Sequence, residues 1–279
     1  MDAAEFEWHP AELLRAPHPN QTPGFALIML NQPLHDHHLG VIRRLWDNAS
    51  VRVAADGGAN CLYLAAGQHG DASFDDLCLI IGDLDSLTPE ARAYYESRDS
   101  TQKTEVILDP DQESTDFGKA VAYVRQHYRH TAAAEEDSHD ATRPLDIVAV
   151  GGLGGRVDQG LSQLHHLYLF QSDPRYTEGR MYLFSGESLT FLLKPGTHRI
   201  WVRDGPGPSP GDVFGKYVGI LPVGRPSRIT TRGLEWDVTD WETSFGGRVS
   251  TSNHLLPETE VVEVETTRDV LFTIALRQA

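Results

Sequence analysis

The stretches VRVAADGGAN, residues 51–60, and LCLIIGDLDS, residues 77–86, decide the fold. Each opens with a short, almost uninterrupted apolar run and passes directly into aspartate and glycine. Apolar runs of this length are typical of strands that are buried on both faces of a parallel sheet. Ligands bind such sheets at the carboxyl ends of the strands. Both stretches therefore predict a buried strand with polar, ligand-competent residues at its end.

More strands of this kind are expected around these two, with helices between them. The further candidate strands are Phe25–Leu30, Glu105–Leu108 and Asp146–Val150. The candidate helices are Pro89–Ser97, Asp116–Tyr128 and Arg156–Phe170. The last of these carries one apolar face, which is typical of a helix that packs on a core, formed by Val157, Leu161, Leu164 and Tyr168. Alternation of strands and helices predicts a doubly wound, mostly parallel α/β sheet.

From about Met181 the pattern changes to short β-branched runs separated by glycine, proline, asparagine or aspartate. Such runs favour an all-β sandwich or barrel. We therefore predict an N-terminal extension over residues 1–24, an α/β domain over 25–184 and an all-β sandwich domain over 185–279. Two polar or glycine- and proline-rich stretches, Thr131–Pro144 and Asp204–Gly215, are predicted to be loops.

Composition excludes several classes of protein. The 279 residues include 24 lysines and arginines against 40 acidic residues, a net charge of −16, which argues against a broad basic face for nucleic acid. The apolar runs are far shorter than the roughly 20 residues that span a bilayer. The acidic, proline-broken N-terminus does not resemble a secretory signal, and the two cysteines suggest no disulfide framework. We expect a cytoplasmic protein that binds neither membrane nor nucleic acid.

Aspartates follow two of the predicted strands. Asp56-Gly57-Gly58-Ala59-Asn60 is either a tight strand-to-helix turn in which Asp56 caps the helix or a place where backbone amides approach a ligand. Asp83 and Asp85, one residue apart, form either an Asx-type turn or a compact site of hard oxygen ligands, as Mg²⁺ prefers. Two acids at one buried strand end repel each other unless a cation lies between them. This repulsion favours the metal.

Two further segments occupy the same position after a strand. In DQESTDF, residues 111–117, Ser114 or Thr115 suits a helix cap, and Asp116 suits either the first helical turn or a place beside Asp83 and Asp85. In GGLGGRVDQ, residues 151–159, four glycines and Arg156 precede a helix and are suited to hold phosphate. This loop is neither a dinucleotide fingerprint nor a Walker A loop. Together the four motifs predict a site for a Mg²⁺–nucleotide complex.

The ordered set ADGGAN, GDLDS, DQESTDF and GGLGGRVDQ resembles the thiamine pyrophosphokinase family. GILPVGRPSRITTRGLEW and the segment Gly247–Asn253 resemble the C-terminal part of that family. The resemblance extends from about Phe25 to Leu276. It implies an α/β catalytic domain joined to a β-sandwich that binds thiamine, a homodimer with its active sites at the interface, and Mg²⁺ with ATP as co-substrate. The implied reaction converts ATP and thiamine into AMP and thiamine diphosphate.

The resemblance also assigns residues. The catalytic set that it implies is Asp83, Asp85, Asp116, Arg156 and Asp158, of which the first three would bind Mg²⁺. The residues that would bind ATP or thiamine in the α/β domain are Asp56, Gly57, Gly58, Asn60, Gln112, Thr115, Gly152, Gly154 and Gly155. Those that would hold thiamine in the β-domain are Ser250, Ser252 and Asn253, with Trp236 either stacked on the ring or part of the core. Alternation along a strand would point Ser250 and Ser252 to the same side.

Other functions fit the same residues. One alternative is a Mg²⁺-dependent diphosphotransferase with another acceptor alcohol. A second is a non-catalytic sensor of thiamine or nucleotide, against which the complete acidic set argues. Within the proposed reaction, Asp116 is either a metal ligand or the base that accepts the hydroxyl proton.

Overall fold

The computed structural model describes residues 4–15, 24–69, 74–97, 103–129, 143–205, 207, 209 and 211–277. The chain divides into two compact units. One comprises residues 16–186, and the other comprises residues 1–15 together with 187–279. Among the helices that the structure describes, none is both long enough and apolar enough to cross a bilayer.

The elements alternate along the first two thirds of the chain and are strands alone after that. In chain order they are β1 (Glu5–Trp8), a 3-10 helix (Pro10–Leu14), β2 (Phe25–Met29), α1 (Asp36–Asn48), β3 (Val51–Ala55), α2 (Gly58–His69), β4 (Leu79–Gly82), α3 (Pro89–Glu96), β5 (Glu105–Leu108), α4 (Asp116–His127), β6 (Asp146–Val150), α5 (Val157–Phe170), β7 (Met181–Phe184), β8 (Ser188–Leu193), β9 (Gly196–Trp201), β10 (Phe214–Leu221), β11 (Ser227–Arg232), β12 (Trp241–Thr243), β13 (Ser250–His254), β14 (Val261–Thr266) and β15 (Val270–Leu276).

The unit of residues 16–186 is built on six parallel strands in the order β7-β6-β2-β3-β4-β5. The chain runs outward from β2 to the edge strand β5 and then returns through α4 to β6, on the other side of β2. The order therefore reverses between β2 and β6. In open α/β sheets such a reversal opens a crevice at the carboxyl ends of the strands, where ligands bind.

The predicted strands and helices of this unit are present, with ends shifted by at most two residues. Thr88 caps α3 as expected, because its Oγ1 accepts a hydrogen bond from Ala91 N at 3.3 Å. Helix α1 was not predicted, and α2 was predicted only as the helix that would follow a turn at Asp56, without bounds. In α2 the buried Ala59, Leu62 and Ala66 are mostly small residues, and they give only a weak helical period.

The predicted apolar face of α5 is not the face that the helix buries. Val157 and Leu161 are 77% and 58% exposed, whereas Gln163, His166 and Leu167 are buried. The inward face of α5 meets polar groups of α4 and of the loop after β6. The buried face of α5 therefore contains polar residues, and Val157 and Leu161 lie on its exposed face.

The second unit is a β-sandwich. One sheet has the order β1-β9-β14-β11-β12, and four antiparallel strands follow the order β13-β10-β15-β8. Trp8 on β1 stacks on Phe191 on β8, with ring centroids 4.6 Å apart, so the two layers face each other across a shared core. The predicted fold class, a parallel α/β domain followed by a β-sandwich, is confirmed.

The described part of the predicted extension over residues 1–24 contains a strand that belongs to the β-sandwich unit. Strand β1 pairs in parallel with β9, and the fully buried Trp8 donates a hydrogen bond from Nε1 to His198 Nδ1 at 2.9 Å. We did not predict this strand, because acidic residues and prolines surround it in the sequence. Burial of the Trp8 indole stabilises it.

The two predicted loops lie partly outside the described residues. Residues 131–142 of the first, and residues 206, 208 and 210 of the second, are not described. Within the second, the half-buried Asp212 accepts hydrogen bonds from Arg203 Nε at 3.2 Å and from Ser209 N at 3.0 Å.

Candidate active site

Three carboxylates meet at the carboxyl edge of the parallel sheet. Oxygens of Asp56, which follows β3, and of Asp83 and Asp85, which follow β4, all lie within 4.8 Å of one another. Among the described residues they form the one group of three or more acidic, histidine or cysteine side chains that is close enough to share a metal ion. Asp56 is buried, Asp83 is half-buried and Asp85 is exposed. We call these three residues the acidic cluster.

The backbone bends sharply to bring the acidic cluster together. Asp56 has φ 43° and Leu84 has φ 61°, both in the left-handed region that residues other than glycine rarely adopt. Ser86 N donates to Asp56 Oδ2 at 3.1 Å, and Asp85 N donates to Asp83 Oδ1 at 3.2 Å. These bonds hold the loop in a conformation that costs about 1–3 kcal/mol for each strained residue.

Gly82 makes room for the carboxylates. A Cβ atom at this position would lie 2.7 Å from Cβ of Asp56 and 2.9 Å from Oδ1 of Asp116. Both distances are too short for atoms that are not bonded. Any side chain at residue 82 would therefore push these two aspartates apart.

The electrostatics of the acidic cluster suit a divalent cation. Burial raises the pKa of Asp56, and the charges of Asp116 and Asp85 raise it further. Asp56 Oδ1 is buried and accepts no hydrogen bond in the structure. The backbone amide of Asp85 lowers the pKa of Asp83, which favours its ionised form. A buried oxygen without a donor, next to ionised carboxylates, is the donor set that hard cations such as Mg²⁺ bind.

Asp116 lies against the acidic cluster but is engaged with other groups. Its Oδ1 accepts from Asp83 N at 3.2 Å and from the buried Lys119 Nζ at 3.4 Å. Gln112 Nε2 donates to Asp83 Oδ2 at 3.3 Å. We predicted Asp83, Asp85 and Asp116 as the metal set, whereas the closest grouping in the structure is Asp83 and Asp85 with Asp56.

The other residues of the ADGGAN motif shape the site rather than face it. Asn60 Nδ2 donates to Ser86 O at 2.7 Å, and Asn60 Oδ1 accepts from Thr88 N at 3.0 Å. A Cβ atom at Gly57 would lie 2.3 Å from Nδ2 of Asn31, and one at Gly58 would lie 2.2 Å from the Met29 carbonyl oxygen. These two glycines let α2 start close to β2, and Asn60 ties the loop after β4 to α2.

A cavity of about 510 Å³ opens where the strand order reverses. Its walls come from the residues after β2, the start of α4, the loop after β6 and the first turns of α5. The predicted site residues among them are Thr115, Asp116, Gly152, Gly154, Gly155 and Arg156. Asp116 therefore belongs to the cavity and also contacts the acidic cluster.

Glycines are required in the loop after β6. Gly152 has φ 92° and Gly155 has φ 75°, and the amide of Gly152 donates to Gln32 Oε1. A Cβ atom at Gly152 would also lie 2.7 Å from Cγ of Gln163. The loop thus packs between two glutamine side chains and leads directly into α5, whose N-terminus attracts anions.

Arg156 and Asp158 form an exposed ion pair. Arg156 Nη2 lies 2.5 Å from Asp158 Oδ2, and the two side chains are 75% and 61% exposed. Hydrogen bonding from Arg156 lowers the pKa of Asp158. Of the two, Arg156 lines the cavity.

Sequence reasoning missed several residues of this site, among them Lys119, Gln163 and His166. Each lies on the buried face of a helix, where an apolar residue is the usual expectation. Gln163 Oε1 is buried at the cavity and accepts no hydrogen bond in the structure. A polar residue in the middle of a buried helix face was the available signal, and we assigned that face incorrectly in α5.

In the β-sandwich unit, Asn253 supports the backbone. Its Oδ1 accepts from Trp236 N at 3.1 Å, and its Nδ2 donates to Trp236 O at 3.0 Å. Asn253 is buried, whereas Trp236 is 55% exposed and contacts His254, with ring centroids 4.8 Å apart. Trp236 is therefore not a core residue, and Asn253 holds the turn that presents it.

The two serines of β13 do not follow regular strand alternation. Ile220 on β10 pairs with Ser250 and Val218 pairs with Asn253, so β13 contains one extra residue between these pairs. Ser252 has φ 55° at this bulge. The regular alternation from which we expected Ser250 and Ser252 to point to the same side is interrupted at this bulge.

Two family models match the chain. The thiamin pyrophosphokinase catalytic domain matches residues 42–177, and the thiamin pyrophosphokinase vitamin B1 binding domain matches residues 197–271. The first range contains the acidic cluster, the start of α4 and the glycine loop. The second contains Trp236 and β13.

Known proteins agree with both models. Thiamine pyrophosphokinase 3 of Oryza sativa subsp. japonica is 36% identical over 263 residues, which cover 91% of this chain and 87% of that protein. Thiamine pyrophosphokinase of Saccharomyces cerevisiae is 28% identical, with 93% and 88% covered. The crystal structure of yeast thiamin pyrophosphokinase has a TM-score of 0.75 at 26% identity and covers 98% of this chain and 91% of its own. Domain models, relatives and fold agree over nearly the whole length, and this chain belongs to the thiamine pyrophosphokinase family.

Proposed function

We propose that this protein transfers the diphosphoryl group of ATP to the hydroxyl of thiamine, giving thiamine diphosphate and AMP. The thiamine oxygen attacks the β-phosphorus, and the bond from the β-phosphorus to the oxygen that bridges it to the α-phosphorus breaks. The hydroxyl proton is released, and AMP leaves with the bridging oxygen. Membership of the family supports the reaction, and the residues of the cavity and the acidic cluster support this chain's capacity to perform it.

One observation carries the proposal. The acidic cluster and a cavity of about 510 Å³ lie at the same edge of one sheet, and Asp116 belongs to both. Such a site offers carboxylates for a cation next to space for a nucleotide. Phosphoryl-type transfer depends mainly on positioning and charge stabilisation, and these groups supply both.

Mg²⁺ fits the acidic cluster. The unpartnered, buried Oδ1 of Asp56 and the carboxylates of Asp83 and Asp85 would hold it. When bound, Mg²⁺ supplies positive charge against the polyphosphate oxygens. We assign Asp116 a place beside this set, since its Oδ1 already accepts hydrogen bonds from Asp83 N and Lys119 Nζ.

The remaining groups of the cavity have distinct roles in the proposal. Amides of the loop after β6 and the N-terminus of α5 bind phosphate, and Arg156 exchanges Asp158 for a phosphate oxygen. Asp116 accepts the hydroxyl proton of thiamine as the new bond forms. Gln112 holds Asp83 in place through their 3.3 Å hydrogen bond. The amides of the loop after β6 and of the N-terminus of α5 are in place before the reaction, and they stabilise the charge that develops on the departing AMP.

The exposed ring of Trp236 offers a face to the flat rings of thiamine, of which the thiazolium is cationic. Ser250 and Ser252 are the hydroxyl groups that would accompany it. The homodimer stays a prediction. The exposed side chains of Val157 and Leu161 on α5 would gain burial against a second copy. The cytoplasmic location also stays a prediction.

The reaction is tested by incubating the protein with ATP, Mg²⁺ and thiamine and measuring AMP and thiamine diphosphate. We expect both products in equal amounts, and none when EDTA is added. A panel of other alcohols tests the acceptor. Release of AMP with another alcohol but not with thiamine would show that this other alcohol is the substrate. Thiamine binding without AMP would indicate a sensor instead.

A further inference from the structure

A buried histidine lies directly behind the cavity wall. His166 on α5 is 4% exposed, and its ring lies between Phe117 and Phe170, at centroid distances of 5.0 and 5.7 Å. Its Nε2 is 2.8 Å from Thr115 Oγ1, and its Nδ1 is 2.6 Å from Ser162 O. Thr115 is one of the residues that line the cavity. The imidazole therefore connects α5 to the residue that precedes Asp116.

The partners of His166 fix its tautomer. A carbonyl oxygen only accepts hydrogen bonds, so Nδ1 carries a proton and donates it to Ser162 O. Burial lowers the pKa of His166, so the ring is neutral. In a neutral imidazole the other nitrogen is an acceptor, and Nε2 therefore accepts the hydrogen bond from the Thr115 hydroxyl.

The hydroxyl of Thr115 is thereby given one orientation. Its single proton is directed at His166 Nε2. One of its lone pairs accepts from Gly118 N at 3.0 Å, which caps α4. Only the second lone pair remains for a ligand in the cavity. Thr115 Oγ1 can accept a hydrogen bond from a ligand but cannot donate one, so it would repel an unprotonated phosphate oxygen and favour a hydroxyl.

We propose that His166 is a positioning residue that fixes Thr115 Oγ1 as an acceptor for the hydroxyl of the alcohol substrate. This inference rests on the proposed function and deepens it. The single proton of the alcohol points at Thr115 Oγ1 before the reaction. Because Thr115 directly precedes Asp116, that proton turns from Thr115 to the Asp116 carboxylate as the new bond to phosphorus forms. The hydroxyl oxygen keeps its lone pairs for the phosphorus, while ATP is bound by the donors of the loop after β6.

The tautomer is tested without any substrate. In ¹⁵N-labelled protein, we expect the histidine NMR spectrum to include a ring with Nδ1 protonated and Nε2 unprotonated at neutral pH that disappears in His166→Phe and is thereby assigned to His166. His165→Phe, a change at the exposed neighbouring residue, should leave it in place. An Nε2-protonated or doubly protonated His166 at neutral pH would overturn the inference.

The role toward substrate is tested with two ligands, thiamine and the analogue in which hydrogen replaces the hydroxyl. Phenylalanine at 166 keeps an aromatic ring between Phe117 and Phe170 but has no acceptor. We expect His166→Phe to weaken thiamine binding about fivefold, the size of one neutral hydrogen bond. Binding of the analogue should be unchanged. His166→Gln, which offers an acceptor oxygen, should restore most of the loss.

The kinetics give a second readout. For His166→Phe we expect kcat with thiamine to fall and the KM for ATP to stay constant, whereas His165→Phe changes neither. Equal weakening of both ligands, or an equal rise in both KM values, would show a merely structural role and overturn the inference. Failure of the unmodified protein to turn over thiamine would overturn the proposed function itself, and that outcome is distinguishable because it does not depend on residue 166.

Discussion

The carboxyl edge of the parallel sheet and the β13 segment both contain polar residues of family motifs, but they use them differently. At the sheet edge, buried polar atoms of Asp56 and Gln163 accept no hydrogen bond in the structure. In the β13 segment, the side-chain oxygen and nitrogen of Asn253 are both bonded to Trp236. Leaving a buried polar atom unpaired costs about 1–3 kcal/mol. At the acidic cluster and the cavity, these atoms are available to a bound ligand, whereas the bonded amide of Asn253 holds the backbone of the fold.

The largest effect should come from the acidic cluster. We expect Asp83→Asn or Asp85→Asn to lower kcat for AMP formation by about 10²–10³-fold, because each removes a charged ligand from the proposed Mg²⁺ site. The measurement is AMP release from ATP and thiamine at saturating Mg²⁺. Glu113→Gln removes a charge from an exposed residue nearby and should keep full activity. Near-normal turnover in both aspartate variants would remove the cluster from the chemistry.

The next effect tests the space between the carboxylates. Gly82→Ala places a Cβ atom 2.7 Å from Cβ of Asp56, so we expect a loss of about 1–3 kcal/mol in the free energy of unfolding and at least tenfold in kcat. Gly40→Ala in α1 is the matched control. A Cβ atom there meets no atom within 4 Å, and it should stabilise the helix by about 0.5–1 kcal/mol. Chemical denaturation and the AMP assay measure both.

The β13 segment should separate folding from binding. We expect Asn253→Ala to lower the free energy of unfolding by about 2 kcal/mol, since it leaves the backbone groups of Trp236 without partners. Trp236→Ala changes an exposed ring and should leave stability within about 0.5 kcal/mol, while raising the KM for thiamine several-fold. Thermal unfolding and thiamine titration measure the two quantities. If Asn253→Ala changed mainly the KM for thiamine and Trp236→Ala mainly the free energy of unfolding, Asn253 would bind thiamine and Trp236 would stabilise the fold.

The smallest effect concerns pH. The folded pKa of Asp56 lies above its ordinary value of 3.8, so its ionised form destabilises the fold. The protonated carboxyl of Asp56 makes its full contribution to the free energy of unfolding below pH 3.8. This contribution is lost as the pH rises through the pKa of Asp56 in the folded protein. Without divalent cations, we therefore expect Asp56→Asn to raise the melting temperature at neutral pH by about 2–4 °C.

The rise in melting temperature that we expect for Asp56→Asn should vanish below the ordinary pKa of aspartate. Added Mg²⁺ should stabilise the unmodified protein and not Asp56→Asn, because ligands stabilise the state that binds them. A variant that is less stable than the unmodified protein at neutral pH in EDTA would show that the buried carboxylate is satisfied without a cation.

Much of the fold could be predicted because short local patterns in the sequence determine it. The strands Val51–Ala55, Glu105–Leu108 and Asp146–Val150 end where their apolar runs end. The hydroxyl of Thr88 caps α3 as predicted, and of the two candidates Ser114 and Thr115 it is Thr115 that caps α4. Strand β1 and the buried face of α5 were not predicted. Both depend on partners distant in the sequence, such as His198 for Trp8 and Thr115 for His166.

For the candidate site, the sequence could place aspartates after successive strands but could not rank them. The closest group contains Asp56 rather than Asp116, because Lys119 and the amide of Asp83 engage the latter. The sequence predicted regular alternation along β13, and a bulge of one residue interrupts it. Distances of a few ångströms depend on backbone bends that local composition does not specify.

By itself, the sequence determined the order of the elements, the parallel sheet and the chemical types gathered at its edge. Hydrophobic runs and glycine positions act over a few residues and can be recognised there. Only the tertiary structure decided which oxygens lack a donor, which helix face is buried and which way the hydroxyl of Thr115 points. These properties depend on the complete set of neighbours around each atom, and that set exists only once distant segments have packed together.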